Sequence, residues 1–169
     1  MTAVLVAGVG NIFHGDDGFG VEVATRLAQR PLPPAVSVRD YGIRALHLAY
    51  ALLDGPDLLI VADVVSRAEA PGTLYLLEPE MLDDAVAADP HGMNLSTVFA
   101  TVRALGGTLP RVLIVGCEPE WLGETMGLSD PVERAVDPAV RMIEEVLARE
   151  LSAITSGRRR DHEEHRETS

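Results

Sequence analysis

Three runs of uninterrupted apolar residues, Ala3–Ala7, Leu58–Ala62 and Val112–Val115, constrain this chain more than any other feature. A strand that is apolar at successive positions is covered on both of its faces. That is the condition of a parallel sheet sandwiched between helices. Segments with helical spacing separate the runs. Val21, Ala24, Leu27 and Ala28 form one stripe; Ala45, Leu48, Ala49 and Leu52 form another; Leu95, Val98, Phe99 and Val102 form a third. Shorter strands are expected at Val36–Val38 and Thr73–Leu77. A last helix is expected to begin with Asp137 as N-cap and Pro138 in its first turn. The alternation predicts an α/β fold: a three-layer sandwich with a mostly parallel, twisted sheet of about five strands and helices on both faces.

A length of 169 residues suits a single domain. The periodic pattern fails near Ser152, so the expected single α/β domain spans 1–151. Residues 152–169, rich in Arg, Glu and His, are expected to be a disordered charged tail. Acidic residues outnumber basic ones by 26 to 14, for a formal charge of −12. Such a chain repels phosphate backbones and anionic lipid, which argues against nucleic acid as a partner. The N-terminus lacks a basic n-region and a long apolar core, and no apolar run reaches the roughly 20 residues needed to cross a bilayer. The expectation is a cytoplasmic protein with no membrane partner. No long unexplained apolar surface segment is visible, which points to a monomer.

In an open α/β sheet, ligands bind beyond the carboxyl ends of the strands. Asp16 and Asp17 fall in the loop after the first strand, Asp63 ends the strand DLLIVAD, and His91 lies in a loop opened by Pro90. Two carboxylates and an imidazole from separate loops can converge on one divalent metal, and this donor set suits nickel, zinc or iron better than magnesium or calcium. Each residue also has a plain structural reading. Asp63 can be a turn former or N-cap, Asp16 and Asp17 can favour a helix start, and His91 can be an ordinary loop histidine. His14 is close enough in sequence to assist; His47 sits inside a helical stripe; His162 and His165 lie in the tail.

Two other chemistries compete. Gly8-Val9-Gly10 begins like a dinucleotide fingerprint, but the position of the third glycine is Phe13, and an acidic loop repels a pyrophosphate. Cys117 closes an apolar strand and can be a thiol nucleophile with His91 as its base, or a packed small hydrophobe.

The segment GVGNIFHGDDGFG resembles the first motif of the hydrogenase maturation endopeptidases, which trim the large subunit of nickel–iron hydrogenases. IVADVVSRAEAPGTLYLL is similar to that family's second motif, DPHGMNL to its histidine loop, and VGCEPE with GLSDPVERAV to its closing segments. The resemblance covers about residues 3–150. It implies an endopeptidase that removes a short C-terminal peptide from the nickel-loaded large-subunit precursor. It also implies that Asp17, Asp63 and His91 contact the metal, and that the nickel is supplied by the precursor. Asp17 or Asp63 is then a candidate general base, with Asp16 in reserve for that role or for holding the loop. Asp17 stands where the family has Asp or Glu, and DYGIRALHL departs from a glycine–threonine version of that segment. The alternative is a non-catalytic, nickel-dependent assembly factor using the same three residues.

Overall fold

The apolar runs become the centre of a five-stranded sheet in the computed structural model, which describes residues 3–79 and 94–167, with 158–167 as backbone only. Strands β1 (Val4–Val9), β2 (Val36–Gly42), β3 (Leu58–Val64), β4 (Leu74–Leu77) and β5 (Arg111–Cys117) are ordered β2-β1-β3-β5-β4. β1 runs parallel to both β2 and β3, and β3 runs parallel to β5; β4 closes one edge antiparallel to β5. The three central strands are those with continuous apolar sequence, because each has a strand on both edges and helices on both faces.

The helices are α1 (Phe19–Leu27), α2 (Ala45–Leu53), α3 (Leu95–Ala104) and α4 (Asp130–Glu167). Strand residues alternate between two cores, as the pleat requires. Val4, Val6, Ile60, Ala62 and Val115 pack against Phe19, Val23 and Leu27 of α1 and Val136, Val140 and Ile143 of α4. Leu5, Ala7, Val9, Leu59 and Val61 face the other way, onto Leu48 and Leu52 of α2 and Val98, Phe99 and Val102 of α3. The mostly parallel three-layer sandwich is therefore the observed fold. Asn94 caps α3 as its side chain accepts from Thr97 N at 3.2 Å. Among the described residues, no helix is long and apolar enough to cross a membrane.

Helix α4 departs from expectation at both ends. It begins at Asp130, with Pro131 in its first turn, and Pro138 lies inside it. A proline in a helix interior gives no N–H to the preceding turn, which is why the sequence favours a start at Asp137. Burial overrides that preference, since Val132, Ala135 and Val136 are all in the core. At the other end, the helix continues to Glu167 instead of giving way to a disordered tail near Ser152. Leu151 and Ile154 still pack against the core, and residues beyond them are mostly good helix formers. Arg111 at the start of β5 also ties α4 to the sheet, donating from Nη1 to Glu150 at 2.5 Å.

Candidate active site

The first glycine motif makes a compact acidic loop at the carboxyl end of β1. Gly10 has φ +126°, and a Cβ there would lie 1.9 Å from the carbonyl oxygen of Asp17, so only glycine lets the chain fold back this tightly. Gly10 N donates to Gly42 O at 2.9 Å, which fixes the loop to the end of β2. Asn11 then starts a turn: its side chain accepts from Phe13 N at 2.9 Å, and its carbonyl accepts from His14 N at 3.1 Å. Residues Gly15–Gly18 form a 3-10 turn that lies against β3 and leads into α1.

Both aspartates of that turn are buried, and they point to different partners. Asp17 accepts from Asn11 N at 2.7 Å through Oδ2, so its carboxylate is oriented by the loop's own backbone. Asp16 faces the segment after β5. Its Oδ2 accepts from Glu120 N and Trp121 N, each at 2.8 Å, and from Ser129 Oγ at 2.9 Å; its Oδ1 accepts from Ser129 N at 2.7 Å. Of the two roles expected for Asp16, these bonds serve the holding of the loop.

Asp63 is the penultimate residue of β3, opposite Gly116 of β5, and is half-buried. Its Oδ1 accepts from Val64 N at 2.8 Å. The structure thus brings Asp17, in the turn that follows β1, and Asp63, near the end of the neighbouring strand β3, to one end of the sheet. His91 lies outside the described residues. Among the described residues, no group of three His, Cys, Asp or Glu side chains is placed to hold a metal ion. His14 sits beside this loop in a parallel bridge with Thr125. His47 lies elsewhere, in a groove of about 840 Å³ between β2 and α2 that Arg39, Tyr41, Arg44 and Tyr50 also line.

Cys117 is fully buried in the core under α4. Burial, together with the negative charges of Asp16 and Glu118, pushes its thiol up to about 12. A thiol that stays protonated and has no access to solvent is a poor nucleophile, so the packed reading of Cys117 prevails.

Glu118, the next residue, is a buried acid that the sequence pattern does not single out. Its Oε2 accepts from Arg67 N at 2.8 Å and from the Tyr75 hydroxyl at 2.7 Å. Partial burial and this bond push the Tyr75 phenol up to about 12. Arg67 also lies over the Tyr75 ring, 5.6 Å from its centroid. Glu118 therefore pins the loop that follows Asp63, including Ala68, whose φ of +58° is unusual for a residue with a side chain. The signal that sequence offers is weak: an acid directly after a buried strand.

Comparison with known proteins agrees with the fold. A family model described as hydrogenase maturation protease matches residues 21–146. The hydrogenase 2 maturation protease of Escherichia coli K12 is 34% identical over 148 residues, covering 86% of this chain and 88% of that protein. The hydrogenase expression/formation protein HoxM of Azotobacter vinelandii is 34% identical over 171 residues, covering 96% of this chain and 81% of its own length. The solved structure of the hydrogenase maturating endopeptidase HybD from E. coli superposes with a TM-score of 0.78 at 32% identity, covering 89% of this chain and 94% of that one. The NiFe hydrogenase maturation protease HycI from Thermococcus kodakarensis gives a TM-score of 0.66 at 27% identity, covering 87% and 93%.

Proposed function

Because the chain belongs to the hydrogenase maturation protease family, and is an endopeptidase by that membership, we propose that it removes a C-terminal peptide from the nickel-loaded large-subunit precursor of a nickel–iron hydrogenase. The observation that carries the reading is Asp17: a buried carboxylate, oriented by Asn11 N, held at the same sheet end as Asp63. Nickel arrives with the precursor, and Asp17, Asp63 and His91 recognise it. A site with few protein ligands holds a metal weakly and relies on outside ligands to complete the shell, so it selects a precursor that already carries its metal. The backbone bond to Asp17 Oδ2 supports that carboxylate from behind, in the manner of outer-shell partners at metal sites.

Hydrolysis then needs a water to attack the scissile carbonyl and lose a proton. Asp17 or Asp63 can take that proton as general base, or metal already bound by the precursor can polarise the carbonyl while the carboxylates only position it. We place the enzyme in the cytoplasm as a monomer.

The test is incubation with nickel-loaded precursor, followed by intact-mass spectrometry of both products. Wild type should shorten the precursor once. Asp17→Ala, Asp63→Ala and His91→Ala should each lower the rate by about 100-fold or more, the scale of losing a group that acts in the reaction. Full cleavage by all three variants refutes the site. The second reading, a nickel-dependent assembly factor, predicts that precursor binds but keeps its mass.

A further inference from the structure

We propose that Asp16 is a positioning residue: its carboxylate locks the segment 120–129 onto the acidic loop and thereby holds Asp17 in its working orientation. This rests on the reading of Asp17 given above. Three observations support it. First, Asp16 is 1% exposed, and its two oxygens accept four hydrogen bonds from residues more than one hundred positions away in sequence. Hydrogen bonds to an ionised acceptor are the stronger kind, and four on one buried carboxylate make a rigid joint. Second, the backbone reinforces the joint. Asp16 N donates to Trp121 O at 2.9 Å, and Gly15 N donates to Thr125 O at 2.8 Å. Gly15 has φ +57°, and a Cβ there would lie 2.6 Å from Trp121 O, so the two segments touch at backbone distance. Third, Asp17 is the next residue in the same 3-10 turn and bonds to Asn11 on its other side. Rotating the turn to satisfy Asp16 fixes the direction in which Asp17 leaves it.

The joint has a second consequence at the surface. Ile12, Phe13, Trp121 and Met126 are all large and exposed, between 41% and 68%, on the two segments that Asp16 ties together. Trp121 is the only tryptophan in the chain, so its fluorescence reports on the joint directly.

The experiment uses Asp16→Asn in the full-length protein. The amide can supply only one of the two oxygens, so an NH2 group must face at least one of the N–H donors. Three readouts are taken: amide hydrogen exchange, acrylamide quenching of Trp121, and cleavage of nickel-loaded precursor. Asn11 N is bonded to Asp17 Oδ2, so its exchange rate measures how firmly Asp17 is held. That rate should rise at least about tenfold, the equivalent of one net hydrogen bond to a charged group, while Ile60 and Val61 in β3 keep theirs. Trp121 should become more accessible to quencher. The kcat should fall by about 100-fold, the scale of misplacing a reacting group by about 1 Å, with KM changing less. Ser129→Ala removes one of the four bonds and should move Asn11 exchange the same way by about fivefold; it decides the matter if Asp16→Asn does not fold. Unchanged exchange at Asn11, or an equal rise at Ile60 and Val61, overturns the proposal. If wild type fails to cleave the precursor, the proposed function falls, and the exchange pattern still decides the role of Asp16.

Discussion

Replacing Gly20 with alanine tests how closely α1 approaches the sheet beneath the acidic loop. A Cβ at this position would lie 2.0 Å from Ala62 O and 2.4 Å from Val9 O. Both are backbone atoms of central strands, so neither can move aside as a flexible side chain would. Overpacking of a tight core costs about 1–3 kcal/mol, and two backbone contacts place this case at the upper end. Alanine regains about 1 kcal/mol of helix propensity over glycine, leaving a net loss of about 2 kcal/mol. For a domain of this size that lowers Tm by roughly 4–8 °C. Differential scanning calorimetry of Gly20→Ala reads it, with Gly157→Ala as control. Gly157 is also in a helix, and a methyl group added there would meet nothing within 4 Å, so its replacement should leave Tm unchanged or slightly raised. The substitution at Gly20 has a functional echo, because Ala62 directly precedes Asp63. A Tm for Gly20→Ala equal to or above wild type refutes the close approach.

The remaining predictions concern buried groups near the site. The Cys117 thiol is held neutral, with its folded value near 12 against an ordinary value near 9. Its contribution is therefore intact below about pH 9 and is lost as pH rises from there towards 12, at up to about 1.4 kcal/mol per pH unit. Urea midpoints measured at pH 7, 9 and 10.5 should fall more steeply for wild type than for Cys117→Ala; parallel slopes refute the assignment. Glu118→Ala leaves Arg67 N and the Tyr75 hydroxyl without their acceptor, which should cost about 2 kcal/mol. Thermal melts should show this as a drop of roughly 4–8 °C, and an unchanged Tm means that water replaces the carboxylate without loss.

The layers of this fold were legible because they rest on local periodicity. Continuous apolar runs at β1, β3 and β5 and stripes at α1, α2 and α3 each carry their burial in their own sequence. The start of α4 was not. Ser129-Asp130-Pro131 is as good a start signal as Asp137-Pro138, but an earlier start leaves Pro138 inside the helix, so local rules favour the later one. What decides is burial of Val132 and Val136 against strands far away in the chain. The same limit applies to the site. That Asp17 and Asp63 share a sheet end follows from strand order, which alternating βα units make predictable. The partners of Glu118 do not follow, since Arg67 reaches it from a loop whose course no periodicity encodes, and Tyr75 from β4, whose pairing with β5 no local pattern specifies.

The pair Asp16-Asp17 shows where the limit becomes functional. Adjacent aspartates in a glycine-rich loop are chemically identical, and only the family resemblance, not local chemistry, divides labour between them. The 3-10 turn does so by geometry. Successive residues in it project about 120° apart, so two neighbours cannot serve the same partner. One carboxylate turns to Glu120, Trp121 and Ser129 and is consumed by structure; the other turns to Asn11 at the end of the sheet. A loop with only Asp17 would leave the donors of segment 120–129 without a buried acceptor. A loop with only Asp16 would keep the joint and lose the acid beside β3. On this reasoning, exchanging the demands on the two positions is not tolerated: Asp16→Asn should loosen Asp17 without removing it, whereas Asp17→Asn should leave the joint and the quenching of Trp121 as they are in wild type.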